Sequence, residues 1–193
     1  MTFRLQTLRS ADAPALARLA NNKKIWDNVR DRMPYPFTLQ DAEAFIHNVI
    51  RHDHALVRAI MLPGEVFAGT VGLHLQASPY EGSAELAYWL GEPFWGSGLA
   101  SLAVRKLVEL GFDQYNLRRI FARVYSFNKA SVRVLEKNGF RCETVARAAI
   151  LKNDKIWDEL TFGLLQNEDV SSSTKQVSPD TEVLNRRRCM GAG

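Results

Sequence analysis

Apolar positions change period several times along this chain, and each change marks an element. Phe3 to Leu8 alternates, with Phe3, Leu5 and Thr7 set against Arg4, Gln6 and Leu8, as a strand with one buried face does. Ser10 or Asp12 then caps a helix with Pro14 in its first turn and Leu16, Leu19 and Ala20 along one side, ended by Asn21-Asn22. From Lys23 to Phe37 the pattern is irregular, aromatic and Pro-bearing. That predicts a loop that either folds back over the core or walls an acceptor pocket. Thr38 and Asp41 form a variant capping box for a helix that turns Ala42, Phe45, Ile46, Val49 and Ile50 inward.

Three strands follow. Ala55–Leu62 and Val66–Leu75 make an antiparallel hairpin around Pro63-Gly64-Glu65, and Ser83–Leu90 returns after a turn at residues 78–82. Gly91–Gly98 leads directly into a helix from Leu99 that buries Ala100, Ala103, Leu107 and Leu110, with Gly111 as its left-handed stop. Arg119–Tyr125 is reached through that helix, so it lies parallel to the preceding strand. Two parallel neighbours in an otherwise antiparallel sheet leave a wedge at their C-terminal ends. Asn128–Ser131 opens a short helix, Val132–Lys137, closed by Asn138-Gly139 with Phe140 folding back. Arg141–Leu151 and Ile156–Leu165 form a last hairpin, joined at residues 152–155.

At 193 residues and 46% hydrophobic, the chain suits one domain. The regular pattern ends near residue 165, and residues 166–193, with Ser171–Ser173 and Arg186–Arg188, read as a flexible tail. No run of about 18 apolar residues occurs and the start alternates like a strand, so the expectation is a soluble cytoplasmic protein without membrane contact. Cys142 and Cys189 give neither a disulfide framework nor zinc spacing, and His47, His52, His54 and His74 read as surface residues. No metal is expected. The net charge of +4 is scattered and points to anionic ligands rather than to nucleic acid.

Candidate chemistry concentrates between Glu85 and Phe112, where strand, glycine turn and helix follow one another. A helix entered from a tight turn presents unpaired N–H groups and a positive dipole end, and Gly96 and Gly98 remove the side chains that would bar a phosphate. Leu99-Ala100 stands where a nucleoside-triphosphate loop needs Lys-Ser or Lys-Thr, and Ser101 where a dinucleotide fingerprint needs its third glycine. What remains is a pyrophosphate held by backbone amides without metal, which suits coenzyme A.

Gly91-x3-Trp95-Gly-x-Gly98-x-Ala100 after a strand bearing Glu85, followed by Asn128-x2-Ser131-x7-Gly139-Phe140, resembles the GCN5-related N-acetyltransferase (GNAT) family. More narrowly it resembles the RimJ/RimL branch, which acetylates N-terminal amines of ribosomal proteins. The resemblance covers residues 1–165 and implies an α/β (α+β) fold. Its mixed, mostly antiparallel sheet has about seven strands, helices on both faces and a V-shaped splay between the fourth and fifth. Pro93 departs from the Gln or Arg that usually opens the family's cofactor motif.

The resemblance implies that acetyl-CoA is the co-substrate, held by Trp89, Leu90, Trp95, Gly96, Ser97, Gly98, Leu99, Ala100, Asn128 and Ser131. Backbone N–H groups near Trp89 and Leu90 would meet the thioester oxygen. Glu85 is the expected general base, directly or through water. Relatives often carry a tyrosine seven residues after the Asn, where this chain has Leu135, so Ser131 becomes the expected proton donor and Tyr125 the fallback. Trp26, Asp27, Asp31, Tyr35 and Glu85 are the candidate acceptor contacts.

Thioester and amine react by direct attack when held in line, without a covalent intermediate, and Cys142 reads as packed rather than nucleophilic. The leading expectation is therefore an N-acetyltransferase acting on a primary amine, most simply a protein or peptide N-terminus. Alternatives are a polyamine or antibiotic acceptor, with Asp27 and Asp31 as counter-charges, or a non-catalytic acyl-CoA-binding sensor. A monomer or homodimer is expected.

Overall fold

The computed structural model describes residues 2–51 and 55–167. Strand β1 (Arg4–Thr7) is followed by helices α1 (Ala13–Ala20), α2 (Lys23–Trp26) and α3 (Leu39–Arg51). Strands β2 (Ala55–Leu62), β3 (Val66–Leu75) and β4 (Ser83–Leu90) lead to α4 (Leu99–Tyr115) and β5 (Arg119–Tyr125), and α5 (Lys129–Lys137) precedes β6 (Arg141–Lys152) and β7 (Lys155–Leu165).

One seven-stranded sheet runs in the order β1-β2-β3-β4-β5-β7-β6. The β4–β5 pair is parallel and every other pair antiparallel, as expected for strands joined by the α4 crossover. Alternation divides side chains between two cores. Ala84, Leu86, Leu90, Ile120, Ala122 and Val124 pack with Ala103, Val104 and Leu107 of α4 and Leu135 of α5. On the opposite face Val57, Ala59, Met61 and Phe67 pack with Leu16 of α1 and Ile46 of α3. Helices therefore cover both faces.

Local signals explain most boundaries. Thr38 and Asp41 exchange backbone bonds, Thr38 N–H to Asp41 Oδ2 at 2.8 Å and Asp41 N–H to Thr38 Oγ1 at 3.2 Å, which fixes the start of α3. α5 ends with Gly139 at φ +80° and the Phe140 N–H on the Leu135 carbonyl at 3.1 Å, burying Phe140.

Several expectations need correction. Lys23–Trp26 is a helical turn rather than loop, and Asp12, at the start of α1, gives its carboxylate to the Arg9 N–H at 2.8 Å instead of to a helix amide. Gly111 does not end α4. The helix continues to Tyr115 and is capped by Asn116 at φ +49°, because Gly111 serves packing instead: a Cβ there would lie 2.7 Å from Leu73 Cδ1 and 3.2 Å from Leu117 Cδ1. The final hairpin turns on Asn153-Asp154 alone, both at positive φ, so Lys152 and Lys155 are strand ends and Lys152 is buried.

Cys142 is disulfide-bonded, which corrects the expectation of unpaired cysteines and leaves no thiol nucleophile there. His52, His54 and residues 168–193, which hold nearly all of the expected tail, lie outside the described residues. Among the described residues no helix is long and apolar enough to cross a membrane.

Gly111→Val should cost about 1–3 kcal/mol in chemical denaturation, since the branch must displace Leu73 from a filled core. Unchanged stability would show that the α4–β3 contact is loose.

Candidate active site

The site forms where β4 and β5 part. Only Ser83–Arg119, Ala84–Ile120 and Glu85–Phe121 join these strands, whereas β3 pairs with β4 as far as Leu90 and β7 pairs with β5 as far as Tyr125. Each strand follows its antiparallel neighbour, so past Glu85 a wedge opens. The polarity of its β4 wall follows from two bonds, Gln76 N–H to Ser83 carbonyl at 2.9 Å and Gly91 N–H to Ala68 carbonyl at 2.8 Å. In an antiparallel ladder such pairs recur at every second residue, so Ser83, Glu85, Ala87 and Trp89 turn their backbone groups to β3. Tyr88 and Leu90 turn theirs into the wedge. The Leu90 carbonyl is met by the Trp95 indole N–H at 2.7 Å, a bond that fixes the turn after β4.

The turn delivers the start of α4 to the mouth of the wedge. Gly96 and Gly98 hold φ +72° and +79°, and a Cβ at either would have no atom within 4 Å. Ser97 Oγ donates to the Phe94 carbonyl at 2.7 Å and sits 3.4 Å from the Leu99 N–H. The N–H groups of Ala100 and Ser101 precede the first intrahelical bond, Leu102 N–H to Gly98 carbonyl at 3.2 Å. Leu99 itself is core. An open helix start without side chains over its amides fits a pyrophosphate.

On the α4–α5 face of the wedge, Tyr88 reaches across from β4 to α5. Its single hydroxyl proton has two acceptors within reach, Ser131 Oγ at 2.7 Å and the Ser131 carbonyl at 3.2 Å. Burial outweighs the Ser131 hydrogen bond and pushes the phenol far above its ordinary range, so it stays protonated. Asn128 caps α5 by accepting the Ser131 N–H at 3.0 Å, and this holds the serine in place. Leu135 is fully buried and offers no polar group.

Glu85 faces the other way. Its side chain is 15% exposed and receives Arg30 Nη2 on Oε1 at 2.7 Å, with Arg123 Nε on Oε1 at 3.2 Å and Nη2 on Oε2 at 3.1 Å. Burial alone would raise its pKa, but the Arg123 hydrogen bonds and the Arg30 and Arg123 charges prevail and hold it below the usual range. Tyr125 follows the alternation of Phe121 and Arg123 onto this face, away from Ser131, with its ring 5.6 Å from that of Phe127. Burial, then the Asp31 charge, raises its pKa.

The loop after α2 closes this face. Lys152, 4% exposed, sends its ammonium to Asp31 Oδ1 at 2.5 Å and the Val29 carbonyl at 3.2 Å, 3.5 Å from the centre of the Trp26 ring. Tyr35 packs on Trp26 at 6.0 Å between centroids. Asp27 is bound by Lys23 at 2.6 Å and Asn153 Nδ2 at 2.9 Å. Trp26, Asp27, Asp31 and Tyr35 are thus brought together, but both carboxylates are already neutralised. Tyr88, Arg30, Arg123 and Lys152 escaped the sequence reading. Alternation along β4 could have revealed Tyr88, whereas a lysine beside a turn carries no sign of burial.

Residues 2–141 match the family described as an acetyltransferase (GNAT) domain. An uncharacterized N-acetyltransferase, p20 of Bacillus licheniformis, is 37% identical over 52% of this chain and 56% of its own length, so little more than half of that relative is spanned. Among solved structures, RimL, a ribosomal L7/L12 alpha-N-protein acetyltransferase in complex with coenzyme A, superposes with a TM-score of 0.78 at 23% identity, covering 88% of this chain and 97% of that one. Spermidine N-acetyltransferase from Vibrio cholerae, in complex with CoA and spermine, gives 0.76 at 20% identity over 86% and 96%. At these identities both speak for the fold.

NMR titration of side-chain carboxyl carbons should find Glu85 half-protonated below the ordinary glutamate value of about 4.3. A group depressed in this way adds stability above its unfolded pKa and loses it as pH falls through the folded value. A midpoint above about 5 would mean that burial, not the arginines, governs the site.

Proposed function

The chain belongs to the GNAT acetyltransferase family, and from that premise we propose that it acetylates a protein or peptide N-terminal α-amine by direct attack on acetyl-CoA. The observation that carries this reading is the wedge beyond Glu85, with an anion-ready helix start at its mouth and a different polar group on each face. Bound acetyl-CoA supplies a thioester carbonyl at a good leaving sulfur. The amides at the start of α4, around Gly98, Leu99 and Ala100, hold the pyrophosphate, and the dipole of this 17-residue helix favours its charge. Gly96 and Ser97 shape that turn, and Trp95 locks it to the end of β4. No metal is needed for such a grip.

The Leu90 N–H, directed into the wedge, is the donor for the thioester oxygen, and Trp89 contributes packing against Phe67 rather than an amide. Ser131 aims its O–H at the departing sulfur. In this reading Tyr88, kept protonated, gives its one proton to the nearer acceptor, Ser131 Oγ at 2.7 Å, which leaves the serine hydroxyl free to turn to the sulfur. Asn128 positions both through its cap. Tyr125, on the opposite face, lines the acceptor side with Trp26, Tyr35 and Glu85.

Glu85 accepts the amine's proton through a water, since its own oxygens are occupied by two arginines. Such a carboxylate is a weak base. It suits an amine already partly neutral near pH 7.4: about 0.3 of an α-amine of pKa near 7.8 is uncharged there, against about 0.001 of a primary alkylamine near 10.4. The neutralised Asp27 and Asp31 likewise offer little to a polyamine. A cytoplasmic setting belongs to the same reading.

CoA release should be followed while acetyl-CoA is offered with peptides beginning in Ala, Ser or Met, with spermidine and with aminoglycosides. Turnover of peptides is expected, and Tyr88→Phe should lower kcat about tenfold, the worth of one oriented hydrogen bond. Turnover of spermidine alone would overturn the acceptor class. Binding of acetyl-CoA with no amine consumed would favour a sensor.

A further inference from the structure

A cavity of about 390 Å³ lies between the loop after α2 and the β6–β7 turn, walled by the rings of Phe127 and Trp157, whose centroids are 4.8 Å apart. Lys24, Asp27, Lys152 and Lys155 bring charge to its lining. Three of these are already balanced: Lys24 pairs with Glu92, Asp27 with Lys23, and Lys152 with Asp31. Lys155 is exposed at the start of β7 and has no ion-pair partner among the described residues. Asp154, next to it in the turn, does not line the cavity. The space thus carries one surplus positive charge beside two aromatic walls. Its volume lies within the range of small-ligand sites, about 300–1,000 Å³.

The cavity adjoins the acceptor side of the wedge. Arg30 of the bordering loop reaches Glu85, while its neighbour Asp31 reaches Lys152 on the cavity wall. Phe127 follows two residues after Tyr125, the end of β5, and its ring packs on that tyrosine. A peptide whose amine lies at Glu85 and whose chain leaves along this loop passes the cavity within its first few residues.

We infer that this cavity is an acceptor subsite for an acidic side chain near the start of the acceptor peptide, with Lys155 as its specificity-determining cation. The inference rests on the N-terminal peptide reading. A carboxylate entering the cavity meets an unpaired ammonium, and because Lys155 is exposed the attraction is that of a partly screened pair. A basic side chain meets Lys155 with nothing on the lining left to neutralise it, because Asp27 is already engaged. Discrimination therefore comes from repulsion as well as attraction.

The test compares kcat/KM for three Ser-initiated peptides that differ only at positions two to four, carrying Asp and Glu, Ala and Gln, or Lys and Arg, with spermidine alongside. The acidic peptide should exceed the neutral one by about fivefold, the worth of one partly exposed charge pair, with the basic peptide lowest. Lys155→Glu should reverse that order and Lys155→Arg should keep it. Raising salt to about 1 M, where the screening length is near 3 Å, should flatten it. Equal turnover of the three peptides, or an order untouched by Lys155→Glu, overturns the subsite while leaving the N-terminal reading in place. Turnover of spermidine with none of the peptides overturns both.

Discussion

Everything at the site depends on the inability of β4 and β5 to stay paired beyond Glu85 and Phe121. A crossover helix makes these two strands parallel, and each is bound along its other edge by an antiparallel partner that continues to its end. The sheet yields at the one parallel seam. That single break exposes a row of main-chain groups on β4, brings the start of α4 to its mouth and lets two side-chain systems look into it from opposite faces. A flat, fully paired sheet with the same residues would bury those groups in a ladder and leave no room for a substrate.

Alternation assigns the two faces different work. Tyr88 faces α5 and meets Ser131, while Glu85 faces the loop after α2 and meets Arg30 and Arg123. A carboxylate held by two arginines and a pair of hydroxyls are thereby separated by the thickness of one sheet. The acceptor face is held by electrostatics more than by apolar burial. Arg30 ties the loop to β4, and Asp31 ties it to Lys152 beneath Trp26. Those bonds place the loop, and they also consume the carboxylates that a polycationic acceptor would need.

Much of this was legible in the chain. Period changes and turn residues placed the strands, and the strand–glycine–helix order at residues 85–112 located the wedge and the open helix start at its mouth from local chemistry alone. Capping at Thr38 and Asn128 was readable for the same reason, because a cap needs only its own turn. What escaped depends on contacts distant in sequence. Gly111 looks like a helix stop and instead makes room for Leu73, which lies across the core on β3. Lys152 looks like a solvated turn residue until Asp31 and Trp26, more than a hundred residues away, close over it. Tyr88 lies between, since its face was predictable and its partner was not.

The most direct test of the wedge as the acetyl-CoA site is a backbone amide NMR titration with coenzyme A. The largest shifts should fall on Leu90, on Gly96 through Ser101 and on Ser131, with α1, α3 and β1 unmoved. Shifts centred on the β6–β7 turn or on α3, with Gly98 and Ser131 silent, would contradict it.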